Sequence, residues 1–268
     1  MNSLNDIEVV ITRPKAQGEK WQQQLQSLGA NTFLIPVLEI LPLNSNNDQT
    51  ERISSLKAIL LKLDEFQKII LVSQNAVNEA AAWIDNYWPQ RPVGIEYFAV
   101  GSATARLARQ LDFEITAPSE AMNSEDLLAL DAMHNVKDQK ILICRGVGGR
   151  TTLYDELTKR GASVTYGELY TRNLPEVALS QIQALKLGNN GRKTVLSAHS
   201  GESVENLNSV LEALTELASE TKVNIKTLPL LIPGERVAKI AKDLGFQQLI
   251  VAKNATDNEM TQALCDWQ

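Results

Sequence analysis

The chain alternates short apolar runs with segments in which apolar residues recur at the spacing of a helix. Two stretches show this most clearly, "ITRPKAQGEKWQQQLQSLGA" and "ICRGVGGRTTLYDELTKRGA". In each, an apolar run leads into a turn, and apolar residues then follow at helical spacing: Trp21, Leu25 and Leu28 in the first stretch, Leu153 and Leu157 in the second. Each stretch therefore predicts a buried strand, a turn and an amphipathic helix.

These two stretches are copies of one unit. Arg145 lies 132 residues after Arg13, and Gly161, at a helix C′ position, lies 132 residues after Gly29. "FAVGSATARLARQLDF" and "LIPGERVAKIAKDLGF" form a second pair, displaced by 133 residues, and "IILVSQNAV" with "TVLSAHSGESV" forms a looser third pair. Repeated strand–turn–helix units predict two related α/β domains, each a parallel sheet flanked by helices.

Composition narrows the class of protein. At 268 residues the chain is near the size at which one core divides into two. No apolar run is long enough to cross a membrane and no signal peptide is visible, and two distant cysteines suit a reducing compartment, so we expect a cytoplasmic protein. The net charge of −6, without a Lys/Arg cluster, argues against a nucleic-acid partner. An anionic ligand would need local donors.

The turns after the predicted strands are the candidate ligand site. They read "TRPKAQ", "SQNAV", "GSATA", "RGVGGR", "SAHSGES" and "PGERV". In open parallel sheets ligands bind beyond the carboxyl ends of the strands, and each turn here opens a helix whose free N–H groups favour an anion. Within these turns Ser73, Asn75, Ser102 and Thr104 are most simply interpreted as helix N-caps, a role compatible with ligand binding.

The turn "RGVGGR" matches no nucleotide motif. A dinucleotide loop would need a third glycine at Thr151, and a P-loop would need lysine at Arg150. The pattern favours an anion cradle with Arg145 and Arg150 as direct partners, and a flexible turn without a ligand remains the alternative.

Four other residues carry chemistry. Cys144 ends an apolar run and is interpreted as a buried core thiol. His199 lies in a turn and is either an acid or base or, more simply, a surface or capping residue, whereas His134 is expected in solvent. The two histidines show no metal-ligand spacing, so no metal is expected. Tyr170 packs between domains or donates a hydrogen bond into the site.

At these residues the chain resembles the uroporphyrinogen-III synthase family. The resemblance rests on T-R-P, V-G-x-A-T-A, R-G-x-x-G-R and Y-x-R, in that order along the chain. It implies two interleaved flavodoxin-like domains, one of residues 1–37 plus 174–268 and one of residues 38–173. Segments 36–43 and 169–175 would form a two-stranded linker, and the substrate would lie in the cleft between the domains.

The resemblance also implies a reaction. The family closes hydroxymethylbilane, a linear tetrapyrrole with eight carboxylates, to uroporphyrinogen III with loss of water and inversion of the last ring, without cofactor or metal. A monomeric lyase that receives its substrate from the preceding pathway enzyme is expected, with Tyr170 assisting the departing hydroxyl. The predicted substrate-binding residues are Thr12, Arg13, Ser73, Asn75, Gly101, Ser102, Thr104, Arg145, Gly146, Gly149, Arg150, Ser200 and Arg236.

The chain departs from the family pattern in the second set of turns. Ala198 stands where a serine is frequent, and Arg236 and Val237 replace threonines, so Ser200 and Arg236 are expected as substitutes. Two other functions fit the same residues. One is a non-catalytic two-domain clamp for a small anionic metabolite. The other is a nucleotide-dependent transferase, which the failed glycine motifs disfavour.

Overall fold

The structure is a computed structural model that describes residues 4–43, 49–116, 123–185, 187, 193–217 and 225–268. Its strands are β1 (Ile7–Ile11), β2 (Asn31–Leu34), β3 (Glu39–Pro42), β4 (Lys68–Leu71), β5 (Glu96–Ala99), β6 (Lys140–Gly146), β7 (Ser163–Asn173), β8 (Lys193–Ser197), β9 (Leu230–Pro233) and β10 (Leu249–Ala252). Its α-helices are α1 (Lys15–Ser27), α2 (Thr50–Leu60), α3 (Gln74–Tyr87), α4 (Ser102–Gln110), α5 (Ser124–Leu128), α6 (Thr152–Lys159), α7 (Val177–Ala184), α8 (Gly201–Leu217), α9 (Gly234–Asp243) and α10 (Asp257–Trp267).

The strands form two sheets, which confirms the predicted fold class. Sheet 1 has the order β10-β9-β8-β1-β2, and sheet 2 has the order β3-β7-β6-β4-β5. From β10 to β2 in sheet 1, and from β7 to β5 in sheet 2, neighbouring strands run parallel. None of the helices in the described part of the chain has the length and apolar character that a membrane span requires.

Both faces of each sheet are covered, which explains why the strands are apolar at consecutive positions. In sheet 1, Val10 and Leu196 belong to one buried cluster, whereas Val9 and Val195 belong to another. Successive side chains of a strand point to opposite faces, so the two clusters lie on opposite sides of the sheet. The same alternation separates two buried clusters in sheet 2. Continuous apolar strands are typical of parallel sheets buried in this way.

The chain divides into two compact units, and each unit holds one sheet. Unit 1 comprises Met1–Glu39 and Asn173–Gln268, and unit 2 comprises Ile40–Arg172. Segments 36–43 and 169–175 contain β3 and the end of β7, which are neighbours in sheet 2.

The sequence repeat is visible in the strand order. Sheet 1 contains the series β2-β1-β8-β9, and sheet 2 contains the series β7-β6-β4-β5, in which each strand is the repeat equivalent of the strand at the same place. The correspondence between the two sheets extends to β10. Sheet 1 pairs Leu230 of β9 with Leu249 of β10, and at the equivalent place in unit 2 a parallel bridge joins Tyr97 of β5 to Ile115. Each unit therefore combines the first part of one copy with the second part of the other.

The two glycines that the repeat placed after helices do occupy that position. Gly29 follows α1 with a φ of 94°, and Gly161 follows α6 with a φ of 88°. This left-handed conformation costs glycine little and strains other residues. The predicted C′ positions are thus confirmed.

His199 follows β8 and is not the surface or capping residue that the sequence suggested. Both of its ring nitrogens are buried and have no hydrogen-bond partner among the described residues, and its ring packs edge to face on Trp21, with 4.9 Å between centroids. Burial, assisted by the nearby charge of Arg13, lowers the pKa of His199 to about 3. The imidazole is therefore neutral at neutral pH and acts as a packing group.

This burial predicts acid sensitivity. An unfolded histidine binds its proton near pH 6.5, so between that pH and about 3 the unfolded state is protonated and the folded state is not. The stability contribution is present above pH 6.5 and is lost as the pH falls, by about 2 kcal/mol between pH 7 and pH 5. His199→Phe should remove this part of the pH dependence in urea unfolding titrations.

The solvent-exposed His134 supplies the control for this experiment. His134→Asn, measured in the same way, gives the change in the difference in unfolding free energy between pH 7 and pH 5 that follows from replacing an exposed histidine. If His199→Phe retains the full difference, the imidazole is not the group responsible.

Candidate functional site

Unit 2 contains a cavity of about 320 Å³ at the carboxyl ends of its strands. Val72 and Val100 border it just after β4 and β5, and Gly146 borders it at the end of β6. This edge of a parallel sheet is where ligands bind in open α/β folds. The predicted site residues that line the cavity are Arg145, Gly146, Gly149, Arg150 and Tyr170.

The turn after β6 closes over the side chain of Arg145. Gly148 and Gly149 have φ angles of 73° and 91°, which L side chains rarely adopt. A Cβ at Gly149 would also lie 2.7 Å from Nη2 of Arg145. Gly148 is therefore needed for its backbone conformation, and Gly149 is needed both for its conformation and because the backbone lies against a guanidinium.

Arg145 is buried, with 7% of its surface exposed, and holds this turn together. Its Nε donates to the carbonyl oxygen of Gly146 at 3.1 Å, and its Nη1 donates to that of Arg150 at 3.0 Å. The guanidinium carbon lies 4.5 Å from the ring centroid of Tyr166, within the range of a cation–π contact. These bonds use two of the five N–H donors of the arginine.

Tyr170 is fully buried in β7, and its hydroxyl lies 3.0 Å from Oγ of Ser73. Ser73 is the N-cap of α3, where its Oγ accepts a hydrogen bond from the N–H of Ala76 at 3.1 Å. The serine thus connects the phenol to the first turn of a helix.

Gly146 has a separate role beside this phenol. A Cβ on Gly146 would lie 2.5 Å from Cε2 of Tyr170. The absence of a side chain on β6 is therefore what allows the tyrosine ring to lie against the neighbouring strand. Arg172 lies on β7, as Tyr170 does, and its guanidinium carbon is 5.8 Å from the centroid of the tyrosine ring.

Of the four N-caps expected in unit 2, the structure has only Ser73. Asn75 is the second residue of α3, so it cannot be the cap that precedes the helix. In α4 the cap position belongs to Gly101, with a φ of 91°, while Ser102 is the first helical residue and Thr104 is buried in the first turn. The capping predictions for Asn75, Ser102 and Thr104 were wrong because each helix begins earlier than the sequence indicated.

The predicted residues of unit 1 have partners inside that unit. Thr12 is buried, and its hydroxyl donates to the carbonyl oxygen of Ser197 at 2.6 Å. Arg13 forms an ion pair with Asp257, and both side chains are largely buried.

The two remaining residues of unit 1 lie at helix starts. Ser200 accepts a hydrogen bond from the N–H of Ser203 at 3.1 Å just before α8. Arg236 is exposed in the first turn of α9. Both are accessible enough to reach a ligand, and their substrate role stays a prediction.

Cys144 is a core residue, as the sequence indicated. It is 1% exposed, and burial raises the pKa of its thiol to about 12. A thiol that stays protonated is a poor nucleophile. Within the described ranges, no group of three or more His, Cys, Asp and Glu side chains is arranged to hold a metal ion.

The cavity-lining residues that sequence reasoning missed include Ser124, Tyr166 and Arg172. Arg172 lies two residues beyond Tyr170 on β7, and the period of two along a strand could have identified it. Tyr166 packs against the buried cluster on the opposite face of sheet 2 from Tyr170, because the register between β6 and β7 shifts between Arg145 and Gly146, so the period of two could not have identified it. Ser124 begins α5, and extending the repeat by a further element would have paired it with Asp257, 133 residues later.

Comparison with known proteins gives one consistent family. The model of the family described as "Uroporphyrinogen-III synthase HemD" matches residues 19–262. A uroporphyrinogen-III synthase of Escherichia coli (strain K12) is 31% identical over 96% of this chain and 100% of its own length. One from Proteus mirabilis is 33% identical over 62% of this chain and 80% of its own length.

Solved structures share the fold. A mutant uroporphyrinogen III synthase from the extremely thermophilic bacterium Thermus thermophilus superposes with a TM-score of 0.58 at 15% identity, covering 96% of this chain and 97% of that chain. The uroporphyrinogen-III synthetase of Helicobacter pylori 26695 gives a TM-score of 0.57 at 15% identity, with 98% and 100% covered. The family match spans both units, and with the relative from Escherichia coli it shows that the chain belongs to the uroporphyrinogen-III synthase family.

Proposed function

We propose that this chain is a lyase that closes hydroxymethylbilane to uroporphyrinogen III, with loss of water and inversion of the last pyrrole ring. The observation that carries the proposal is the family match along residues 19–262. We further propose that it acts as a cytoplasmic monomer without cofactor or metal and receives its substrate from the preceding pathway enzyme.

The cavity in unit 2 suits the demands of this reaction. The substrate is rich in carboxylates, and the cavity is lined by three arginines and by the glycine turn before α6. The hydroxyl group leaves readily from such an electron-rich chain, and the free substrate can close by itself to the isomer without inversion. The main contribution of the protein is then to orient the two chain ends, so that inversion is faster than direct closure.

Tyr170 and Ser73 supply the hydrogen bond to the departing hydroxyl in this proposal. The Oγ of Ser73 already accepts from the helix N–H of Ala76, so the serine proton can be donated to the phenol oxygen. In that arrangement the phenol keeps its own proton to donate towards the cavity that it lines.

The direct test is to incubate the protein with freshly prepared hydroxymethylbilane and to separate the uroporphyrinogen isomers formed. We expect the type III isomer in excess of the spontaneous type I isomer. Binding without a change in the isomer ratio would instead support the non-catalytic clamp.

Tyr170→Phe should lower the rate of type III formation about tenfold or more, because the donor to the leaving group is lost. Tyr97→Phe is a matched control: Tyr97 is a buried tyrosine of the same unit whose hydroxyl has no partner among the described residues. A rate unchanged in Tyr170→Phe would remove the phenol from the mechanism.

Ser73→Gly should lower kcat about fivefold and leave KM nearly unchanged, because the phenol loses its positioning partner while glycine still serves as an N-cap at a cost of a few tenths of a kcal/mol. Ser73→Thr keeps both the cap and the hydroxyl and should restore the rate. In the Tyr170→Phe background, Ser73→Gly should add little. Additive effects would show that the serine acts independently of the tyrosine.

A further inference from the structure

The two repeat-equivalent arginines have different partners. Arg13 follows β1, and Arg145 lies near the end of β6, 132 residues later. In unit 1, Arg13 forms an ion pair with Asp257, the first residue of α10. The charge of this largely buried arginine is thus matched by a carboxylate that the chain itself supplies.

The residue at the equivalent place in unit 2 is Ser124. Asp257 directly follows the N-cap Thr256, and Ser124 directly follows the N-cap Asn123, 133 residues earlier. No acidic side chain of the described residues forms an ion pair with Arg145, and the cavity wall there includes both Arg145 and Ser124. The chain therefore has a short neutral side chain where the other copy has a carboxylate.

The side chains near these two arginines are also smaller in unit 2 than in unit 1. Val72 precedes the N-cap of α3 and lines the cavity, whereas its equivalent before the N-cap of α8 is His199. Leu153 also lines the cavity, and its equivalent, 132 residues earlier, is Trp21. Larger rings fill the place in unit 1 that smaller aliphatic side chains leave open in unit 2.

The cavity wall itself favours an anion. Its lining residues include Arg145, Arg150 and Arg172 and no aspartate or glutamate. A cavity of this charge in a chain of net charge −6 indicates a local preference for negative groups rather than a general one.

We propose that a substrate carboxylate binds Arg145 in the place that Asp257 occupies beside Arg13, and that Ser124 determines this specificity by leaving the guanidinium to the ligand. The ion pair between Arg13 and Asp257 in unit 1 corresponds to the ion pair that Arg145 forms with the ligand carboxylate in unit 2. Arg145 then both shapes the glycine turn and, through its remaining N–H donors, binds an acetate or propionate side chain. The identity of the carboxylate rests on the proposed function.

The test is to supply the missing carboxylate from the chain. Ser124→Asp should pair with Arg145 and compete with the ligand, and aspartate is favourable at the first position of a helix, so the fold should be retained. Ser124→Asn is the matched neutral control. The readouts are the KM for hydroxymethylbilane and the Kd for uroporphyrin III, the oxidised product with the same eight carboxylates, followed by its fluorescence.

We expect KM and Kd to be about tenfold higher in Ser124→Asp than in Ser124→Asn, because the new carboxylate competes with the ligand for a charge-assisted hydrogen bond from Arg145. Thr152→Asp, which introduces a carboxylate from the start of α6 on another part of the cavity wall, should weaken binding in the same direction relative to Thr152→Asn. Comparable melting temperatures establish that each variant is folded.

Equal affinity in Ser124→Asp and Ser124→Asn would overturn the inference while leaving the synthase activity intact. Failure of the proposed function has a different signature, because the unmodified protein would then form no excess of uroporphyrinogen III. In that case the uroporphyrin titration still decides whether the cavity binds a carboxylate at Arg145.

Discussion

Both sheets depend on the pairing of strands from different copies of the repeat. β1 pairs with β8 in the middle of sheet 1, and β6 pairs with β4 in the middle of sheet 2. Val9 opposite Val195 and Ile69 opposite Leu142 are the kind of buried apolar pairs that result. Because neither copy alone provides the strands on both sides of these central pairs, neither sheet can form from one half of the sequence. The cavity, the glycine turn and the buried phenol are all built on the edge that these pairings create.

One backbone plan serves two electrostatic purposes. The arginine at the end of the first strand of each β–α–β unit is largely buried and lies near the start of a helix. In unit 1 the charge is balanced by Asp257 and the surrounding space is filled by Trp21 and His199. In unit 2 the guanidinium is held by backbone carbonyls and by the face of Tyr166, which fix its position without neutralising its charge. The first arrangement balances the charge within the chain, and the second leaves it available for the carboxylate that we propose.

The sequence predicted features that repeat or that require one residue type. Gly29 and Gly161 were placed correctly because a left-handed helix end demands glycine. The sheets followed from the apolar runs. Helix starts at Asn75, Ser102 and Thr104 were misplaced because several polar residues follow one another there and any of them can cap. The repeat could have paired Ser124 with Asp257, but only the structure shows that Asp257 forms an ion pair with Arg13, more than a hundred positions away. The burial of the ring nitrogens of His199 depends on tertiary packing, which a polar residue in a turn does not indicate.

The exchange of strands between the copies also determines the order in which the two sheets can form during translation. All of unit 2 has been synthesised once Arg172 has been added, so its sheet can close while the chain is still growing. β1 and its neighbour β2 precede unit 2 along the chain, yet β8, the other partner of β1, begins at Lys193, and β9 begins at Leu230. The pair of β1 and β2 must therefore stay without the remaining strands of sheet 1 while all of unit 2 is synthesised, and one edge of the apolar strand β1 lacks its partner during that time. An unpaired apolar strand edge of this kind favours aggregation.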